Sequence, residues 1–140
     1  RQAYRFIEMR RWRDTRGVHL VSEPPHFPVE EAPASHFILA ANAAGKNPLR
    51  LAHAILRALW AEERNIADQP TLLEIAQRNG EDALGVVAKA RDTQVQAQLQ
   101  ANTDEAVRKG VFGSPWYIHD GEPFFGQDRL AFLDRALENT

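Results

Sequence analysis

A chain of 140 residues and 15.8 kDa, 44% hydrophobic and 26% charged, carries enough large side chains to close one compact domain or two lobes sharing a core, which excludes global disorder. Its net charge of −2 gives no electrostatic reason to expect nucleic acid as a partner, and its lack of cysteine excludes disulfides, thiolate metal sites and a cysteine nucleophile within these residues. The apolar runs are broken by Arg, His or Glu too often to span a membrane, and the basic start Arg1-Gln2-Ala3-Tyr4-Arg5 lacks the apolar stretch of a signal peptide.

Residues 2–16 read as a helix stopped by Gly17. Its apolar residues (Tyr4, Phe6, Ile7, Met9, Trp12) are interleaved with Arg5, Arg10, Arg11, Arg13 and Arg16, a pattern that predicts arginine stems lying over apolar surface with their heads in water. Val18–Val21 reads as a short strand. In Glu23-Pro24-Pro25-His26-Phe27-Pro28 three prolines forbid a helix and predict a rigid extended loop, either a link between lobes or the wall of a ligand site.

Residues 33–109 carry helical periodicity almost throughout. Ser35 is the expected N-cap of a helix ending near Gly45. Asn47-Pro48 starts the next, with Asn as cap and Pro at the first helical position. There Ala52, Ile55, Leu56 and Leu59 are the expected buried stripe. Gln69-Pro70-Thr71 opens a third helix that stops near Gly80, Asp82 caps a fourth, and a fifth runs from about Thr93 to Lys109 on Val95, Leu99 and Ala106.

The pattern then changes to Pro115-Trp116-Tyr117-Ile118-His119, Asp120-Gly121 and Glu122-Pro123-Phe124-Phe125-Gly126, which predicts strand, two-residue hairpin turn and a second strand with Pro123 at an edge. Asp128–Glu138 closes the chain as a helix on Leu130, Leu133, Ala136 and Leu137. Two strands alone are marginal, so the hairpin is expected to be completed by further strands.

Two stretches carry candidate chemistry. In Gly110-Val111-Phe112-Gly113-Ser114-Pro115 a proline follows a glycine turn at a strand entry, where composition alone gives an ordinary trans residue. In Gly126-Gln127-Asp128 a strand runs into a helix, whose free N–H groups receive carboxylates; Asp128 either caps the helix or pairs with a ligand ammonium.

Together these two motifs resemble the C-terminal half of the 2-hydroxychromene-2-carboxylate isomerases, relatives of the kappa-class glutathione transferases and more distantly of DsbA-type oxidoreductases. Arg11-Trp12, Gly17 and the proline-rich loop resemble the family's helix and crossover, and Trp60, Ile66, Asp68 and Leu72 its helical insertion. The resemblance implies an α/β, thioredoxin-like fold: residues 1–32 as a remnant of the thioredoxin-like half, 33–109 as an all-helical inserted domain, 110–140 as the C-terminal hairpin and helix. It implies glutathione as cofactor, a cis Pro115, and the main chain of Ser114 against the cysteinyl residue. Phe125, Gly126, Gln127 and Asp128 would hold the γ-glutamyl end and His26 would contact substrate. Nothing matches the family's opening strand and serine-bearing loop, so the serine that activates the thiol is expected upstream of Arg1, and none of these residues is expected to be catalytic. The remaining histidines (His19, His36, His53, His119) lack ligand spacing, so no metal is expected. The implied activity is a glutathione-dependent isomerase of aromatic-compound breakdown, homodimeric, in a bacterial cytoplasm, with an aromatic small molecule as substrate. A kappa-class-like transferase and a non-catalytic glutathione-binding protein are the alternatives.

Overall fold

The computed structural model describes residues 2–80 and 82–138. Helix α1 (Gln2–Arg16) ends where Gly17 takes φ 62°, and the Val18 N–H turns back to the Arg13 carbonyl at 3.2 Å, the closure that glycine permits and a Cβ would oppose. Phe6, Met9 and Trp12 are half-buried, and the Arg16 guanidinium lies 5.5 Å from the Trp12 ring centroid, a cation over an aromatic face. Val18–Val21 differs from the expected strand: it forms no ladder, and the Val21 N–H instead donates to the Trp60 carbonyl at 2.7 Å. In the proline-rich loop Pro24 is buried, the Phe27–Pro28 bond is cis, and the Phe27 ring packs on Trp60 with centroids 4.8 Å apart.

Four helices, α2 (Ala32–Ala43), α3 (Pro48–Trp60), α4 (Gln69–Arg78) and α5 (Ala83–Ala90), build the main core. Their starts are set locally. Asn47 accepts from the N–H groups of Leu49 and Arg50 at 3.1 Å, Asp68 from Thr71 N–H at 3.0 Å, and Asp82 from Gly85 N–H at 3.1 Å. The expected Ser35 cap is not realised. Pro33 sits in the first turn, α2 begins at Ala32 after Glu31, and Ser35 already donates its N–H to the Glu31 carbonyl at 3.0 Å. On α3 the buried stripe is Leu51, Ile55, Ala58 and Leu59, whereas Leu56 is 54% exposed: the face is rotated from the expected one. Leu51, Ile55 and Leu72 are the largest fully buried side chains, each worth about 1.5–3 kcal/mol of transfer free energy.

The chain divides into two compact units, Arg1–Leu99 and Gln100–Thr140. Helix α6 (Thr93–Arg108) bridges the division in sequence, with Val95 buried. In the second unit β1 (Trp116–His119) pairs antiparallel with β2 (Glu122–Phe125) in the register Trp116↔Phe125, Tyr117↔Phe124, Ile118↔Pro123 and His119↔Glu122. The turn between them takes φ 48° at Asp120 and 85° at Gly121, the left-handed pair that a two-residue hairpin needs. A 3-10 turn (Gln127–Arg129) leads into α7 (Leu130–Glu138), which packs on both strands. Of its apolar stripe Leu133 and Ala136 are half-buried, and Leu130 and Leu137 are exposed. Among the described residues no helix is long and apolar enough to cross a membrane.

Candidate functional site

Six of the seven residues singled out in the sequence fall in the second unit and meet at one end of the hairpin. The Ser114–Pro115 bond is cis, and the Pro115 carbonyl accepts the N–H of Gly126 at 3.0 Å, one step beyond the Trp116↔Phe125 pair. That bond ties the loop entering β1 to the turn leaving β2, so Ser114 and the Phe125–Asp128 turn are neighbours. Among the described residues the N–H and C=O of Ser114 make no hydrogen bond, and Ser114 is exposed. A peptide main chain laid alongside could use both groups.

Gly126 is buried, with φ 99° and ψ 149°, a conformation reserved for glycine, and a Cβ there would stand 2.6 Å from Oδ1 of Asp128. Asp128 does not cap α7. Its carboxylate, about half exposed, accepts from Nη1 of Arg129 at 2.8 Å, and no side chain caps the 3-10 turn. Of the two roles open to Asp128, the structure thus shows no capping one. Gln127 and Asp128 are exposed at the head of the turn, where the first N–H groups have no acceptor within the helix. His26 belongs to the first unit, exposed on the proline-rich loop.

Sequence reasoning missed the aromatic support of this site. Phe112 stands edge-on to Trp116 and to Phe125, both with centroids 4.8 Å away, and Trp116 lies 5.7 Å from Phe125. The trio depends on strand register, which places Trp116 opposite Phe125; the recurrence of aromatics around a glycine turn was the available signal. The indole Nε1 of Trp116 is buried without a partner among the described residues, as is the Ser22 hydroxyl, each a donor whose lost hydration costs about 1–3 kcal/mol. Beside Trp116, Lys109 bonds Glu105 at 2.8 Å and holds that carboxyl below its ordinary range, by hydrogen bond first and charge second. Among the described residues no group of three His, Cys, Asp or Glu could hold a metal ion.

This geometry accompanies a match to the DSBA-like thioredoxin domain over residues 1–138, and the chain belongs to that family. Its fold is thioredoxin-like, mostly helical in the described residues with a small two-stranded sheet. Human glutathione S-transferase kappa 1 is 29% identical over 136 residues, covering 85% of this chain and 60% of the relative. The 2-hydroxychromene-2-carboxylate isomerase of Sphingobium xenophagum is 32% identical over 79 residues, 56% of this chain and 40% of the relative. Among solved structures, a selenomethionine 2-hydroxychromene-2-carboxylate isomerase superposes with a TM-score of 0.74 at 21% identity, over 98% of this chain and 66% of that one, which speaks for the fold. The cytosolic disulfide reductase DsbM from Pseudomonas aeruginosa gives 0.65 at 26% identity, over 79% of this chain and 60% of that one; it has also been solved with GSH. The chain spans 60% and 40% of the lengths of the two curated relatives. The relatives form a glutathione-related, DsbA-like enzyme family whose named activities are isomerase, transferase and reductase.

Proposed function

We propose that these residues form the glutathione-holding part of a glutathione-dependent isomerase that interconverts 2-hydroxychromene-2-carboxylate-like substrates and their ring-opened benzylidenepyruvate forms. The observation that carries the reading is the Gly126 N–H to Pro115 carbonyl bond, which brings the unpartnered main chain of Ser114 beside the Phe125–Asp128 turn. Ser114 and Pro115 then border the cysteinyl residue, with Ser114 pairing its main chain in the manner of an added strand. Phe125, Gly126 and Gln127 border the γ-glutamyl end, and the Asp128 carboxylate, occupied with no cap, receives its ammonium. His26 contacts the aromatic substrate. Bound there, glutathione supplies a nucleophilic thiol that adds reversibly to the substrate and leaves unchanged. The serine hydroxyl that activates it lies upstream of Arg1 on this reading. Residues 1–32 and 110–140 then belong to the thioredoxin-like half and residues 33–109 to a helical insertion. A homodimer in a bacterial cytoplasm, engaged in aromatic-compound breakdown, completes the proposal.

A kappa-class-like transferase is the second reading, favoured by the longer alignment to the human transferase. Dithiol exchange finds no support in these residues, which include no cysteine. Incubation of the intact protein with glutathione and a hydroxychromene carboxylate, followed by NMR, separates the readings. Isomerised substrate with undiminished glutathione supports the isomerase, and a stable conjugate supports the transferase. Absence of heat on titration with glutathione sinks both and leaves a non-enzymatic domain.

A further inference from the structure

In the first unit two depressions share a wall. A cleft of 240 Å³ is lined by Arg57, Arg64, Arg78, His53 and Asn79, with Glu62 as its one acidic member. A groove of 610 Å³ is lined chiefly by Val18, Leu20, Leu56 and Trp60. His53, Arg57 and Glu62 line both, so the basic cleft and the apolar groove are adjacent.

The charges around the cleft do not cancel. Arg57 is held by Glu62 at 3.0 Å, and Glu74 bridges Arg64, at 2.5 Å, and Arg78. Three guanidiniums therefore face two carboxylates, an excess of one positive charge among these five groups. The side chains of Arg57 and Arg78 are 66% and 65% exposed, so their ion pairs are weak in water and either guanidinium can take a new anionic partner. The groove beside them leaves Val18 and Leu56 half in water at 50% and 54% exposure, with the Trp60 ring among them.

We propose that the double depression binds a small amphipathic monoanion. Its carboxylate would enter between Arg57 and Arg78, and its apolar body would lie over Leu56 and Trp60. The single uncompensated charge matches one carboxylate, and the cationic lining disfavours a metal ion. The site is carried by the first unit alone and does not depend on the glutathione reading.

The test is a ¹⁵N-resolved NMR titration of the intact protein with 4-phenylbutyrate and with its uncharged counterpart, 4-phenylbutan-1-ol. The acid is expected to shift amide resonances at residues 18–20 and 53–62 and to bind about tenfold more tightly than the alcohol. Arg78→Gln should bring the acid close to the alcohol while leaving the alcohol unchanged. Glu74 keeps its bond to Arg64 in that variant, and the pair that is lost is an exposed i,i+4 one, so a small effect on folding is expected. Leu56→Ala should weaken both ligands, and Arg50→Gln, an exposed position of α3 outside both depressions, neither. Equal affinity of acid and alcohol, shifts confined to other residues, or an equal loss in Arg50→Gln and Arg78→Gln would each overturn the site.

Discussion

The ring of Phe125 lies against the backbone of Gly113, so closely that a methyl group at residue 113 would stand 2.7 Å from Cε2 and 3.0 Å from Cζ. Phe125 cannot swing away freely, because Phe112 and Trp116 both touch it. Glycine is thus needed at residue 113 for space, since its φ lies outside the left-handed region. Gly113→Ala is expected to cost about 1–3 kcal/mol, the range for overpacking a fitted contact. In a Phe125→Ala background the same change should cost close to nothing. A double-mutant cycle by urea denaturation measures the difference, and additive effects would mean that the ring contact does not matter.

Gly126 is needed for a different reason. Its φ of 99° is one that L side chains rarely adopt, and only secondarily would a Cβ meet Asp128. Gly126→Ala should therefore destabilise the protein by about 1–3 kcal/mol. Truncating Asp128 to Ala in the same chain should relieve little of that, because the contact atom ends a movable side chain while the backbone strain stays. Full recovery of the denaturation midpoint in the double variant would contradict this account.

These contacts mark how far the sequence could be read. The helix starts at Asn47 and Asp82 were legible because a cap is made by atoms within three residues of one another. The Asp120-Gly121 turn was legible because its left-handed dihedrals select residue types directly. The strand expected at Val18–Val21 failed for want of a partner ladder, which no local pattern supplies. On α3 periodicity revealed an apolar stripe, yet Leu51 and Leu56 compete for the inner face. Which one turns inward depends on where α2 and α4 lie. At the site, residue types alone gave an ordinary trans Pro115, and only family resemblance pointed to the observed cis bond. The Phe112, Trp116 and Phe125 cluster was signalled only by the recurrence of aromatics around a glycine turn, because its assembly depends on the strand register.

The capping contrast gives a third test. Asn47 accepts two backbone N–H groups, whereas Ser35 lies one residue past Ala34 in the first turn of α2 and caps nothing. Asn47→Ala should cost about 1 kcal/mol. Ser35→Ala should fall within about 0.5 kcal/mol of the parent. Equal losses in the two denaturation curves would restore Ser35 as a cap and move the start of α2.

Asp128 offers the sharpest separation between holding the fold and holding a ligand. A helix cap converted to Asn keeps its capping oxygen, and one converted to Ala loses it, so Asp128→Ala should lower stability only if the carboxylate caps α7. It does not; its partner is the exposed guanidinium of Arg129, and such pairs contribute about 0–1 kcal/mol. Both Asp128 variants are therefore expected to unfold within about 1 kcal/mol of the parent. On the proposed glutathione reading Asp128→Asn has a second effect, because an ammonium facing a neutral amide would lose a charge-assisted bond, worth about tenfold in affinity. Arg129→Gln, which frees the same carboxylate from its lateral partner, should leave that affinity intact or raise it. Calorimetric titration of the three variants, set beside their urea midpoints, checks the whole pattern. Should Asp128→Asn bind glutathione as tightly as the parent, the γ-glutamyl end lies elsewhere.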